Sequence, residues 1–237
     1  IDDTGATVLA QPLPAIWGPL EGMLFACGDP YRPGHVYYCL PDAPDHWSAS
    51  GNTEVCPPSE VLMNGGLVGG QAFVFSRSRL YALYPNLTGV SGQVTAAPTP
   101  CKRGLLGRWA MVVGPGGVYF IAEDGVFVTS GGPEDWVSRE IDPLFLGETV
   151  HGLSPVDKTA TTALRLTIWE DELYFSYQDT LGARQVLVYS ILNKFWRHYT
   201  FGRAQTMLQG EDEDLLLLGS LSLGTTYEHD GLTDDGL

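Results

Sequence analysis

The stretch Gly-Gln-Ala-Phe-Val-Phe-Ser-Arg-Ser-Arg-Leu-Tyr-Ala-Leu-Tyr, residues 70–84, decides the fold once it is set beside residues 116–130, Gly-Gly-Val-Tyr-Phe-Ile-Ala-Glu-Asp-Gly-Val-Phe-Val-Thr-Ser. The two lie 46 residues apart. In each, glycine leads into a β-branched and aromatic run, a polar turn reverses the chain, and a second apolar run returns. That is the signature of a β-hairpin.

The same shape recurs outward in both directions. Upstream, Met23 to Cys27 turns at Pro30 to Gly34 and returns as His35 to Leu40. Downstream, Glu172 to Tyr177 turns at Asp179 to Ala183 and returns as Gln185 to Tyr189, and Asp214 to Gly219 returns as Gly224 to Glu228. Further strands are expected at Val61–Met63, Trp109–Val113 and Leu164–Trp169, each just ahead of its hairpin. A strand after each hairpin brings the count to about four per unit, and four strands in about 40–50 residues is the repeat of a β-propeller. The expectation is an all-β chain, a β-propeller of about five four-stranded blades, whole or part of a larger ring. A β-sandwich is the rival. Residues 1–237 read as a single propeller domain belonging to a longer polypeptide. The Pro-rich first twenty residues read as extended, with Thr7 to Ala10 a candidate to pair with the last unit and close the ring. Ser138 to Leu146 holds one helical turn, limited by Pro143.

Tryptophan trails three of the five hairpins, at Trp47, Trp136 and Trp196. Large aromatics at one point per unit fill the wedge between stacked sheets. A row of sugar-binding aromatics is the alternative.

Charge is lopsided, with 13 Lys+Arg against 28 Asp+Glu and a net charge of −15. Such a surface repels nucleic acid and anionic membrane instead of gripping them. Much of the acid lies late, in Glu211 to Asp214 and around Asp230, Asp234 and Asp235. This reads as solvated loops, or as a wall that DNA slides past without sticking. No apolar run reaches the ~20 residues of a membrane span. The four cysteines form no C-x-x-C pair. Cys27 and Cys39 each stand six residues from Pro33, on either side of a turn, so a disulfide is geometrically open to them. Two buried free thiols are the favoured alternative.

The search for chemistry assigns no catalytic, cofactor-binding or metal residue, and the chain reads as not an enzyme. The five histidines make no H-E-x-x-H, and no G-x-S-x-G elbow is present. Gly114 to Gly117 reads as a turn leading into a strand, not a phosphate loop. The acid pairs Glu123-Asp124, Glu134-Asp135 and Glu170-Asp171 are placed at turns, and neighbours along a strand face opposite sides. The Ser130 to Trp136 run only loosely echoes the repeated box of sialidases. Asn86-Leu87-Thr88 matches a glycosylation sequon.

From about Gly22 onward the chain resembles virion proteins of tailed bacteriophages, in the β-propeller part of tail-nozzle or head-to-tail connector proteins. The matching stretches are Cys27 to Pro30 with Asp45-His46-Trp47, Phe75 to Tyr81, Gly107 to Ala110, Gly114 to Phe120, Asp124 to Phe127 with Ser130 to Gly132, and Leu187 to Tyr189 with Phe195-Trp196. The resemblance implies a structural virion protein in a ring around a DNA channel, assembled in the host bacterial cytoplasm. It implies as partners other copies of the chain and neighbouring virion proteins, with no cofactor, no specific nucleic-acid binding and no membrane. The alternative is a carbohydrate- or receptor-binding propeller, lectin-like or sialidase-like, with Trp47 and Trp136 as candidate glycan contacts.

Overall fold

The structure is a computed structural model that describes residues 15–48, 50–86 and 93–199, together with the strand backbones at 206–209, 216–220 and 225–229. The chain is all-β. Its described strands form five antiparallel sheets, each a meander in chain order. The first sheet holds β1 (Ala15–Leu20), β2 (Met23–Cys27), β3 (His35–Tyr38) and β4 (Asn52–Glu54). The second holds β5 (Leu62–Val68), β6 (Gln71–Ser76), β7 (Leu80–Asn86) and β8 (Gln93–Pro98). The third holds β9 (Met111–Gly114), β10 (Gly117–Ala122), β11 (Gly125–Thr129) and β12 (Asp135–Trp136). The fourth holds β13 (Arg165–Trp169), β14 (Glu172–Gln178), β15 (Arg184–Ser190) and β16 (Phe195–Tyr199). The fifth has three strands among the described residues, β17 (Thr206–Gln209), β18 (Leu216–Ser220) and β19 (Thr225–His229). All five expected hairpins are these sheets' adjacent strands. Thr7 to Ala10, the acidic runs after Gly210, and Leu87 and Thr88 of the sequon lie outside the described residues.

The chain divides into two compact units. One takes residues 1–108, 116–118 and 129–134; the other takes 109–115, 119–128 and 135–237.

In the first unit, β1 adjoins β5, so the first strands of two successive sheets are neighbours. Gly65 on β5 makes this approach possible: a Cβ there would lie 2.4 Å from Trp17 Cε2. The core gathers Trp17, Met23, Phe25, Cys27, Val36, Tyr38, Leu62, Val74, Tyr81 and Leu83, all buried. Trp17 stacks on Phe25 with centroids 6.1 Å apart. Pro19 near the end of β1 has no N–H to give, and the β1–β2 register shifts between Trp17 and Leu20.

In the second unit, β13 adjoins both β9 and β17. Its core is aromatic. Phe145 stacks on Phe175 at 5.9 Å, Phe175 on Tyr177 at 5.0 Å, and Trp196 meets Phe175 edge-on at 6.4 Å. The one α-helix among the described residues, α1 (Asp142–Leu146), carries Pro143 in its first turn and ends at Gly147. Pro143 therefore starts the helix, where its missing N–H costs nothing, and does not limit it as the sequence suggested. No helix among the described residues is long and apolar enough to cross a membrane.

The second strands of four sheets are buried on both faces. β10 is buried at every position, and β14 from Leu173 to Tyr177. β2 is exposed only in part at Leu24, and β6 only in part at Gln71.

The cysteines are all free thiols and all buried. Cys39 Sγ accepts the Leu24 N–H at 3.0 Å. The favoured reading of two buried thiols at Cys27 and Cys39 is the one observed.

Candidate functional site

The trailing tryptophans are held by their own sheets. Trp136 on β12 stacks on Phe127 at 5.8 Å, donates Nε1–H to Ser138 Oγ at 3.0 Å, and has the Arg139 guanidinium 6.0 Å from its ring centre. Trp196 on β16 lies 5.1 Å from Tyr189 and donates to the Val137 carbonyl at 3.0 Å. Trp47 sits between β3 and β4, half-buried against the first unit's core, with Nε1–H on the Pro44 carbonyl at 2.8 Å. Two of the three thus share the fourth-strand position. Packing and hydrogen bonds hold all three rings in place, and Trp136 still exposes 37% of its surface.

Two of the three acid pairs stand at turns, while Asp135 of the Glu134-Asp135 pair opens β12. Glu123 and Asp124 form the β10–β11 turn. Glu170 and Asp171 form the β13–β14 turn with φ of 44° and 59°, the mirror-image turn that hairpin twist favours. Glu134 is half-buried and bound to the Arg103 guanidinium and the Lys102 N–H. Burial works to raise its pKa, but these donors outweigh burial and hold it below the ordinary value. Among the described residues no three His, Cys, Asp or Glu side chains are grouped to hold a metal ion.

An open groove does form in the first unit; of its walls the sequence had singled out only Ser130 and Gly131, and not Tyr84 as a site. Its volume is about 340 Å³. Val68 and Gly69 come from the end of β5 and its turn, Gln71 and Phe73 from β6, and Ala82 and Tyr84 from β7. Pro98, Thr99 and Pro100 form a further wall, and Ser130 and Gly131 another. The register explains the grouping. Phe73 pairs with Ala82, which pairs with Ala97, and positions two apart along a strand share a face. Gln71, Phe73, Ala82 and Tyr84 therefore line one side.

Tyr84 is 48% exposed. The Gln71 amide donates to the Ala72 and Leu83 carbonyls, and Thr99 Oγ1 donates to the Leu80 carbonyl at 3.1 Å. The Ser130–Gly131 wall is pinned by Thr129 Oγ1, which donates to the Gly132 carbonyl at 2.8 Å and accepts the Gly131 N–H at 3.1 Å. Below it, Glu134 is anchored to Arg103. Gly131 has φ +104°, and a Cβ on it would come within 2.6 Å of the Phe73 ring. The groove carries no charged side chain among its lining residues. It offers an aromatic face, two prolines and a few backbone and hydroxyl groups, a surface suited to a neutral ligand that stacks and hydrogen-bonds.

No family model matches the chain, and no curated protein matches its sequence. Among solved structures, the chain is similar to one described as "a putative 6-phosphogluconolactonase from Bacteroides uniformis", at 9% identity over 90% of this chain and 68% of that one, with a TM-score of 0.48. That likeness assigns no activity to this chain. The expectation that the chain is not an enzyme is not kept, since the structure found bears an enzyme's description. The expectation was drawn from missing motifs, and sheet scaffolds build sites from residues far apart in sequence, so it is withdrawn.

Proposed function

We propose that the chain is the β-propeller part of a structural virion protein of a tailed phage, of the tail-nozzle or head-to-tail connector type, with the five sheets as five blades of one domain. The observation that carries this is the burial of the second strands on both faces. In a two-sheet sandwich each strand turns alternate residues to solvent. Strands buried on both sides belong to sheets stacked between neighbours, and within each unit the adjoining first strands, β1 with β5 in one and β13 with β9 and β17 in the other, support such stacking. The phage-like stretches fall where such a module is shaped: Gly114 to Gly117 turns β9 into β10, and Asp124-Gly125 turns β10 into β11. In this reading the chain forms a ring with its own copies beside other virion proteins, and its acidity lets DNA pass without adhering. Mass spectrometry of purified particles from a producing culture tests it. The chain is expected at a fixed multiple of the portal protein, and its absence from intact particles refutes the reading.

The groove favours a second reading, a glycan-binding propeller. Glycan-array binding that disappears in folded Tyr84→Ala, while Trp136→Ala retains it, is the expected result there. Equal binding by wild type and Tyr84→Ala rejects it.

A further inference from the structure

The second unit holds two neighbouring arginines with no acid paired to either among the described residues. Arg165 opens β13 and Arg184 opens β15. Arg165 is opposite Ser176, Ser176 is opposite Val186, and Arg184 stands two residues before Val186, so both side chains leave the same face of the sheet. Each guanidinium donates one hydrogen bond, and the two acceptors are consecutive carbonyls. Arg165 Nη1 donates to Leu164 O at 2.9 Å, and Arg184 Nη1 to Ala163 O at 3.0 Å. That common anchorage brings the two groups together.

Trp109 completes the cluster. Its carbonyl accepts the Leu166 N–H, which fixes it beside β13. Its ring, 46% exposed, lies 5.8 Å from the Arg165 guanidinium. Neither arginine has a carboxylate partner among the described residues, in a chain with 28 acids for 13 bases. Elsewhere acids do meet the bases: Arg103 has Glu134, and Arg197 has Glu172. Leaving two cations adjacent costs energy. Burial, and then the charge of Arg184, pull Arg165 below its ordinary pKa, and burial does the same to Arg184.

We propose that Arg165 and Arg184 form a binding site for an oxyanion group, carboxylate or phosphate, with Trp109 as its aromatic wall. Each guanidinium has five N–H donors in a planar fork and uses one on the carbonyl, so donors remain for an anion between them. The anion removes the mutual repulsion, and Trp109 keeps the Arg165 plane in place by cation–π stacking. The same chemistry is offered by a small free anion or by an acidic side chain of a second copy. The site does not depend on the virion reading.

Inorganic phosphate and acetate are the probes, titrated at constant ionic strength against chloride while tryptophan fluorescence and melting temperature are followed. A saturable response is expected, with Kd on the order of 1–10 mM, as suits a small anion on two donor forks. It should weaken at least ~10-fold in Arg165→Gln and in Arg184→Gln and persist in Arg197→Gln. Arg165→Lys and Arg184→Lys keep charge but lose the fork, and are expected to bind more weakly than wild type. Phenylglyoxal labelling of the unaltered protein gives a check that needs no variant: phosphate should protect Arg165 and Arg184 against modification, read by peptide mass. Sedimentation separates the sources. Self-association dispersed by phosphate and lost in Arg165→Gln identifies a second copy's acid, and a monomer that binds phosphate identifies a free anion. No response beyond chloride, an unchanged response in both Gln variants, or absent protection overturns the proposal.

Discussion

Replacing Asp179 by alanine tests whether one buried carboxylate holds the β14–β15 hairpin. Asp179 is 2% exposed. Its Oδ1 accepts the Leu181 N–H at 3.0 Å and the Ala183 N–H at 2.8 Å, and its Oδ2 accepts Gln185 Nε2–H at 3.0 Å. Its own N–H and carbonyl close the turn on Ala183 and Gly182. Hydrogen bonds to a charged acceptor contribute about 1.5–3 kcal/mol each. Two of the three donors belong to exposed residues, which water satisfies after the substitution, and the cost of burying the charge is recovered. The net loss for Asp179→Ala is therefore about 2–3 kcal/mol, well below the sum of the bonds. Asp179→Asn keeps an oxygen for both N–H groups, and Gln185 can turn its amide to accept from the new Nδ2, so that variant should lose only about 1 kcal/mol. Hydrogen exchange reads this locally. The Ala183 amide should exchange roughly 30- to 150-fold faster in Asp179→Ala and only several-fold faster in Asp179→Asn. Unchanged protection in the alanine variant, or equal loss in both, refutes the assignment of the turn to this carboxylate.

Four further outcomes are expected. Burial of Asp29 works to raise its pKa, but the Tyr37 hydroxyl and the Tyr31 and Arg32 N–H groups outweigh burial and lower it. Glu134 is lowered as well. A depressed carboxylate adds stability above its unfolded pKa and loses it as pH falls through the folded one, so melting temperature should drop below about pH 4, less steeply in Asp29→Asn. Gly131→Ala should shift the urea midpoint down by about 2–4 kcal/mol worth of stability, because the new Cβ meets Phe73 at a φ of +104°. Replacing Glu170-Asp171 by Asn-Gly, which tolerate positive φ, should raise stability by about 1 kcal/mol in the same assay. Burial pushes the Cys27 and Cys101 thiols up to about 12 and Cys56 to about 11, so Ellman's reagent should react roughly 100-fold or more slowly with them in the folded chain than in guanidinium.

The hairpins were legible because their inner strands read as unbroken apolar runs between turn residues. Phe73-Val74-Phe75 and Tyr119-Phe120-Ile121 are buried side by side, so period-2 alternation is absent and the turns at Ser78 and Asp124 carry the signal. β1 was legible only as the end of an extended, Pro-rich stretch: Gly18 and Pro19 stand inside it and hide the strand, which survives because the register slips around Pro19. The helix was found, but Pro143 was read as its limit, since sequence does not show which turn of a helix a proline occupies. The groove and the arginine pair were hidden for a different reason. Tyr84 differs from buried Tyr81 only in its position along β7, and Arg165 and Arg184 meet through the register of three strands.

That contrast says where function is to be sought in this chain. Its conspicuous sequence features are spent on holding the chain in place. Asp29 ties the β2–β3 turn, Ser76 Oγ takes the Ser78 and Arg79 N–H groups after β6, and Asp179 ties the turn after β14. Carboxylate and hydroxyl thus do one job in three repeats, which is why the repeat is visible as shape and not as a shared motif. Trp136 and Trp196 are committed to their sheets, and Glu134 to Arg103. A side chain already satisfied within its own fold has little left for a ligand. Among the described residues, the groups with unspent capacity include the exposed ring of Tyr84 and the donor-rich faces of Arg165 and Arg184 beside Trp109. If the chain recognises anything, those positions carry the recognition, and variants there should change binding while leaving the melting temperature in place.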